Sequence, residues 1–209
     1  MKRSIYTGGV FLLMIALMTN CTEKVIVSNY ESGEKFEEYQ YTGDSLKHGF
    51  YKRYSQGGVL LEESTYMEGK LHGERTIYNA KGEKEVLEIY ENDILNGPFK
   101  EFHPNGKIRF LGTYTNNVLS GTVNVFYPSG KIKEEVSFED NMEQGPFKEF
   151  HENGNLMWEG TYRNGDNEFG LLKEYNEKGE LIRKMMCDER AICTTTWTID
   201  GSHLKKGDS

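Results

Sequence analysis

Glycines and aromatic residues recur along most of the chain with a fixed period, and polar residues fill many of the positions between them. The stretch GPFKEFHPNG (97–106) returns as GPFKEFHENG (145–154). The glycine that opens this stretch has counterparts spaced by 24, 24, 24, 24 and 25 residues: Gly49, Gly73, Gly97, Gly121, Gly145 and Gly170. Such a period predicts a chain of repeated supersecondary units.

Three further positions of each unit keep their residue type. An aromatic residue lies five positions after the opening glycine: Tyr54, Tyr78, Phe102, Phe126, Phe150 and Tyr175. A second glycine lies nine positions after it: Gly58, Gly82, Gly106, Gly130, Gly154 and Gly179. Another aromatic residue lies seventeen positions after it in five units: Tyr66, Tyr90, Tyr114, Phe138 and Tyr162. We expect these hallmark residues to be structural, with rings covering their neighbours across strands.

Each unit has the turn chemistry of a β-hairpin. The segments QGG, AKG, PNG, PSG, ENG and EKG end in the second glycine, and a type I turn closed by a left-handed glycine makes a three-residue hairpin loop. A strand rich in β-formers follows, such as KIRFLGTY (107–114). A second turn follows this strand. The residue twenty positions after the opening glycine lies in this turn and is always Gly, Asp or Asn, the residues that tolerate positive φ. These positions are Gly69, Asp93, Asn117, Asn141 and Gly165.

The sequence therefore predicts an all-β fold, an elongated and twisted antiparallel meander of about six to seven 24-residue hairpins. Thirteen or fourteen strands are expected. A degenerate unit precedes the array, in which Tyr30, Gly33 and Tyr41 match the pattern with one turn residue missing. One question stays open at this point, because Phe99 and Phe102 have opposite parity in a strand. Either a bulge intervenes or both sheet faces carry aromatic residues.

Composition agrees with many short strands, since there are 23 glycines against 4 prolines and 12% of residues are aromatic. The formal net charge is −8. Nucleic acid affinity depends on Lys and Arg, so we do not expect a nucleic acid partner.

The first twenty residues have the pattern of a secretory signal peptide. Lys2 and Arg3 precede an apolar run at 10–18 that is too short to span a bilayer comfortably. The segment MTNC, which ends at Cys21, resembles the lipobox of bacterial lipoproteins, in which the cysteine is diacylated. An ordinary signal peptide with a coincidental cysteine is the alternative. We expect an exported protein, lipid-anchored to the cell envelope through Cys21, at the outer membrane if the cell is Gram-negative.

Two cysteines remain, Cys187 and Cys193, six residues apart. An exported chain can oxidise such a pair, so we predict a disulfide that staples the last hairpin, with free thiols as the alternative. A metal site prefers four ligands, and His203 is the only histidine nearby in sequence. The predicted organisation is a signal peptide (1–20), an N-terminal segment with the degenerate repeat (21–44), the repeat array (45–186) and a capping hairpin with a tail (187–209).

The unit GPFKEFHPNGKIRFLGTYTNN (97–117) resembles the MORN-repeat variant of bacterial proteins, a family often described as YwqK-type antitoxin-like. The resemblance covers about residues 45–186. It implies a twisted sheet of hairpins that contacts proteins or lipids, and it brings no catalytic residue and no cofactor.

The residues themselves contain no nucleophile elbow, phosphate loop or HExxH motif. Glu101 and Glu149 share a repeat position and are expected to lie four strands apart. We therefore predict a non-enzymatic protein without a metal or cofactor. Trp158 departs from the pattern, and with Phe110 it is our candidate anchor for a partner, unless it fills a local gap. The preferred function is a protein-interaction scaffold; the alternatives are glycan or small-ligand binding through an aromatic face and an antitoxin or immunity role.

Overall fold

The computed structural model describes residues 24–43 and 45–202. The predicted signal peptide, the lipidation site Cys21 and His203 lie outside the described residues. Seventeen strands form one antiparallel sheet. They are β1 (Lys24–Asn29), β2 (Lys35–Tyr41), β3 (Lys47–Tyr54), β4 (Leu60–Met67), β5 (Lys70–Tyr78), β6 (Lys84–Glu91), β7 (Ile94–Leu95), β8 (Gly97–Phe102), β9 (Ile108–Thr115), β10 (Val118–Leu119), β11 (Gly121–Phe126), β12 (Ile132–Glu139), β13 (Met142–Phe150), β14 (Leu156–Tyr162), β15 (Gly170–Tyr175), β16 (Leu181–Cys187) and β17 (Cys193–Thr198).

Neighbours in the sheet are neighbours along the chain, so the predicted meander of hairpins is confirmed. The strand count exceeds the expected thirteen or fourteen. Two strands are interrupted, at Asn96 and at Ser120, each directly before an opening glycine with positive φ. These interruptions separate the short strands β7 and β10 from β8 and β11. The segments before and after the array also add complete strands.

The three-residue loops have the predicted geometry. In the first full unit, the Gly58 amide donates to the Ser55 carbonyl at 2.9 Å, and the Ser55 amide donates to the Val59 carbonyl at 2.8 Å. Gly58 has a φ of 79°, in the left-handed region that glycine adopts without strain. These loops all join strands at the same end, and we call this end of the strands the loop edge. The opposite end, where the second turns join the strands, is the turn edge.

The degenerate first unit differs from its predicted alignment. The Tyr30 amide bonds the Glu34 carbonyl and the Gly33 amide bonds the Tyr30 carbonyl, which is the pattern of a full three-residue loop. Tyr30 therefore corresponds to Ser55, and no turn residue is missing. The prediction was wrong because it aligned Tyr30 with the aromatic Tyr54 one position earlier in the next unit.

The structure answers the parity question with both a bulge and two aromatic faces. Phe99 is paired with Gly112, and the pairing of β8 with β9 shifts between Glu101 and Phe102. By strand alternation Phe99 and Phe102 lie on opposite faces of the sheet. All eight buried hydrophobic side chains share the face of Phe99, which we call the core face: Tyr51, Leu119, Val123, Val136, Phe147, Tyr162, Leu172 and Cys187.

The other face, which we call the charged face, carries ion pairs and the hallmark aromatic residues that end the first strand of each unit. Three of the tyrosines donate their hydroxyls to carboxylates on this face: Tyr54 to Glu38 (2.6 Å), Tyr78 to Glu63 (2.8 Å) and Tyr175 to Glu159 (2.7 Å). Burial and the hydrogen bond to Glu63 raise the pKa of Tyr78 to about 12. Each of these hydroxyls reaches a carboxylate on another strand, as expected for packing residues, and the structural role of the hallmark residues stays a prediction.

Two rows of cross-strand pairs fill the core face, and many of these pairs match a large residue with a small one. In one row the opening glycine is opposed to the aromatic residue seventeen positions later, as in Gly145 and Tyr162. In the next row Phe147 is opposed to Gly160, and a Cβ at Gly160 would lie 2.8 Å from a ring carbon of Phe147. Gly112 is opposed to Phe99, and a Cβ at Gly112 would lie 2.8 Å from a side-chain carbon of Leu119. The glycine of the shared sequence GTY therefore has a packing reason in both units, since a Cβ would crowd a core side chain in each.

Successive hairpins are also joined at both edges. At the loop edge several side chains donate hydrogen bonds to a carbonyl of the next unit, among them Tyr30 to Tyr54 (2.9 Å), His103 to Phe126 (2.8 Å), Tyr127 to Phe150 (2.7 Å) and His151 to Tyr175 (2.9 Å). At the turn edge, Asn141 has a φ of 67°, its amide donates to the Leu119 carbonyl at 3.0 Å, and its Oδ1 accepts from the Leu119 amide at 2.8 Å. Asp93 and Asn117 repeat this contact.

The turn-edge contact gives a prediction for stability. Asn141→Ala removes the Oδ1 acceptor and puts at positive φ a residue that tolerates this conformation less well than Asn, and we expect it to cost about 2 kcal/mol. Asn141→Gly keeps the backbone conformation and loses only the hydrogen bond, so it should cost about 1 kcal/mol. Urea unfolding followed by circular dichroism measures both. Equal unfolding midpoints for the two variants would contradict the role of positive φ.

Candidate interaction surface

A third row of the core face, nearest the loop edge, does not keep its residue type. Each unit contributes two residues to this row, the fourth and the thirteenth after its opening glycine, and these two are paired within the hairpin. The thirteenth residue is also paired with the fourth residue of the next hairpin. We call it the variable row. Its members in spatial order are Arg53, Glu62, Ile77, Val86, Glu101, Phe110, Val125, Glu134, Glu149, Trp158, Glu174 and Arg183.

Most carboxylates of the variable row are neutralised by an arginine. Glu62 contacts Arg75 Nε at 2.9 Å, and it also pairs with Arg53. The remaining two pairs join Glu101 with Arg109 and Glu174 with Arg183, at 2.5 and 2.6 Å. These pairs satisfy the half-buried charges that the row places on an otherwise apolar face.

Glu134 and Glu149 are the exception, because they are directly opposed across β12 and β13. Among the described residues neither carboxylate forms an ion pair. Burial raises the pKa of Glu134, and the negative charges of Glu149 and then Glu143 raise it further. Burial also raises the pKa of Glu149, where Lys133 acts in the opposite direction. The pair is thus a concentration of negative charge in partly desolvated surroundings, which Lys133 offsets in part without forming an ion pair.

Sequence reasoning missed this pair. It compared carboxylates at the same repeat position, such as Glu101 and Glu149, which lie on β8 and β13. Glu134 and Glu149 occupy different positions of their units and meet because hairpins pair with their neighbours. The pair could have been found by predicting the register between neighbouring hairpins, which opposes Glu134 to Glu149.

Trp158 and Phe110 both lie in the variable row, half-buried and packed against the core cluster. Four strand steps separate them, roughly 19 Å along a flat sheet. Trp158 is opposed to Glu149 on one side, and the Arg183 guanidinium lies 5.4 Å from the centre of its ring. The two residues therefore do not form one anchor, and Trp158 borders the acidic pair. Their role in partner binding stays a prediction.

The predicted cysteine pair lies at the far end of the core face. Cys187 and Cys193 are directly opposed across β16 and β17 and are joined by a disulfide. Cys187 takes the position that aromatic residues hold in earlier units and packs in the core cluster. A polar cleft of about 260 Å³ borders this hairpin, between the loop at Arg163 and the loop at Asp188. Arg163 and Glu189 form a long ion pair there, at 3.8 Å.

Within residues 24–43 and 45–202 no group of His, Cys, Asp and Glu side chains is arranged to hold a metal ion. The same part of the chain contains no helix that is long and apolar enough to cross a membrane. His103 and His151 donate hydrogen bonds at the loop edge.

Fold and surface together define an open-ended β-meander of hairpin repeats with one variable row. The family model described as MORN repeat variant matches residues 95–116, 119–140 and 143–164. These segments correspond to the three central hairpins and include Phe110, Glu134 and Glu149. No curated protein matches the chain. Repeats of this kind generally mediate contacts with proteins or membranes.

The acidic pair predicts how stability depends on pH. A carboxyl whose pKa is raised by folding stabilises the fold fully below its unfolded pKa, near 4.5, and this contribution is lost as the pH rises through the folded pKa. Glu134→Gln removes the like-charge contact, so we expect it to stabilise the protein by up to about 1 kcal/mol at pH 7. The gain should vanish near pH 4. Urea unfolding at both pH values measures it.

Glu135→Gln is the matched control, because Glu135 is on the same strand but on the charged face, opposed to Lys148. It should bring no gain at pH 7. Equal stability of wild type and Glu134→Gln at both pH values would contradict the repulsion between the two carboxylates.

The disulfide gives a further prediction. Closing the short loop between Cys187 and Cys193 restricts the unfolded chain, and replacing both cysteines with alanine should cost about 2 kcal/mol. Dithiothreitol should lower the thermal midpoint of wild type and leave the double variant unchanged. No effect of the reductant on wild type would contradict a stabilising role for this bond.

Proposed function

We propose that the protein is a non-enzymatic lipoprotein of the bacterial cell envelope whose repeats form a scaffold for a protein partner. The observation that carries the scaffold is the variable row. The row nearest the turn edge repeats a glycine–aromatic pair in five units, whereas the variable row carries acidic, basic, aliphatic and aromatic residues. A surface that varies on a constant frame suits recognition of one partner.

The acidic pair indicates the chemistry of that partner. Within the described part of the chain Glu134 and Glu149 form no ion pair, whereas the other carboxylates of the row pair with an arginine. A partner that places a basic side chain between them would remove the repulsion and gain charge-assisted hydrogen bonds. Trp158 borders the pair and supplies apolar area to the same contact.

Glycan binding is less well supported by this surface. Sugar stacking needs an open ring face, and the Arg183 guanidinium lies over Trp158. Phe110 is too distant to form a second wall with it. A protein partner uses both features without requiring one continuous aromatic platform.

The location rests on the sequence of the N-terminus, in which Lys2, Arg3 and an apolar run precede Cys21. Intact mass and cell fractionation test it. Wild type should carry acyl mass on a new N-terminus at Cys21 and fractionate with membranes, and Cys21→Ala should lose both properties. An unlipidated cytosolic wild type would overturn the envelope location.

The partner surface is tested separately by photo-crosslinking in cells, with p-benzoylphenylalanine in place of Trp158. A crosslinked partner is expected. Glu134→Lys should reduce the yield of the crosslink at least about tenfold, because the new positive charge repels the basic side chain of the partner. Phe150, on the charged face one strand away, is the control position for the crosslinker. Equal yields from both positions, unaffected by Glu134→Lys, would show that the variable row does not bind the partner.

A further inference from the structure

Three tyrosines from adjacent strands converge on the core face near the start of the array. Tyr39 of β2 is directly opposed to Tyr51 of β3, and their ring centres are 6.4 Å apart. Tyr66 of β4 meets the Tyr51 ring edge to face, with 5.8 Å between the centres. No later unit repeats this set, because the position of Tyr51 is taken by Arg75 in the next unit and Tyr39 belongs to the degenerate one.

A cation already lies among these rings. The Lys47 ammonium is 3.9 Å from the centre of Tyr51, 4.8 Å from Tyr39 and 5.2 Å from Tyr66. Within the described part of the chain Lys47 forms no ion pair, and its ammonium donates no hydrogen bond. The positive charge is therefore held by ring faces alone, which is the arrangement of an aromatic cage.

The chemistry of the cage suits a cation without N–H groups. A lysine ammonium has three donors, which lose water in the cage without gaining an acceptor. A quaternary ammonium group has no donor to leave unsatisfied, and its methyl groups pack against the rings. Burial raises the pKa of Tyr51, and the charges of Glu37 and Glu62 raise it further, so the central ring of the cage stays neutral.

Lys47 is able to leave the cage. It is half-buried at the first position of β3, and its ammonium sits on a flexible four-carbon stem. Its own binding is limited by the unsatisfied donors. A better-suited cation can thus replace it without a change in the backbone.

We propose that Tyr39, Tyr51 and Tyr66 form a binding site for a quaternary ammonium group of the choline type, and that Lys47 is its built-in competitor. The site lies at the N-terminal end of the sheet, away from Glu134 and Glu149. It does not depend on the partner proposed for the variable row.

Titration of the full chain with tetramethylammonium and with choline, followed by tyrosine resonances in NMR spectra, tests the site. Wild type should bind weakly, and Lys47→Ala should bind at least about tenfold more tightly, because the internal cation is gone. Tyr39→Leu or Tyr66→Leu, each in the Lys47→Ala background, should lose most of this affinity. Thermal unfolding of each variant verifies that it is folded.

Lys184→Ala is the matched control. The Lys184 ammonium lies 5.5 Å from a single ring, that of Trp197, so its removal leaves no cage and should not improve binding. Three results would overturn the proposal: no binding by wild type, equal affinities of wild type and Lys47→Ala, or affinity that survives loss of Tyr39 and Tyr66.

Vesicles separate two sources of the same group. Binding to free choline and also to phosphatidylcholine vesicles, but not to phosphatidylglycerol vesicles, identifies a lipid headgroup. Binding to free choline alone identifies a soluble quaternary ammonium compound. Either outcome supports the site, and binding to neither choline nor phosphatidylcholine overturns it.

Discussion

The structure depends on cross-strand pairing on one face of a single sheet. The described residues form no second sheet and no long helix, so apolar side chains can be buried only by their neighbours on adjacent strands. The fit between opposed residues solves this problem. Phe147 covers the glycine opposite it and stacks on Tyr162 with 4.0 Å between ring centres. Val123, opposed to an equal-sized Val136, has no exposed surface at all.

This constraint divides the core face by function. The row nearest the turn edge keeps a glycine opposite an aromatic residue in five units, because each hairpin is covered only by its neighbours. The variable row lies nearest the loop edge and does not keep its residue type. Its arginine–glutamate pairs show that charges are accommodated there when they are neutralised. The pair Glu134 and Glu149 is therefore a feature that packing does not require, and it is the best argument for a partner.

The ends of the array follow different rules, because a terminal hairpin lacks one neighbour. At the C-terminal end a disulfide replaces the glycine–aromatic contact that the rest of the array uses. At the N-terminal end Tyr39, Tyr51 and Tyr66 gather around Lys47. Both features break the repeat pattern.

The sequence by itself determined the period, the hairpins, the loop types and the class of fold. These are local properties: Gly106 and Asn117 accept positive φ wherever they stand, and the spacing between such residues sets the strand length. Local signals also identified Cys187 and Cys193 as a pair, and the structure joins them. Only the tertiary structure decided which residues share a face and meet across hairpins. That depends on the bulges at residues such as Phe102 and on the register between neighbouring units, which a one-residue shift would reverse. That register brings Glu134 next to Glu149 and places Lys47 among three tyrosines. Neither contact can be predicted from the spacing of these residues along the chain.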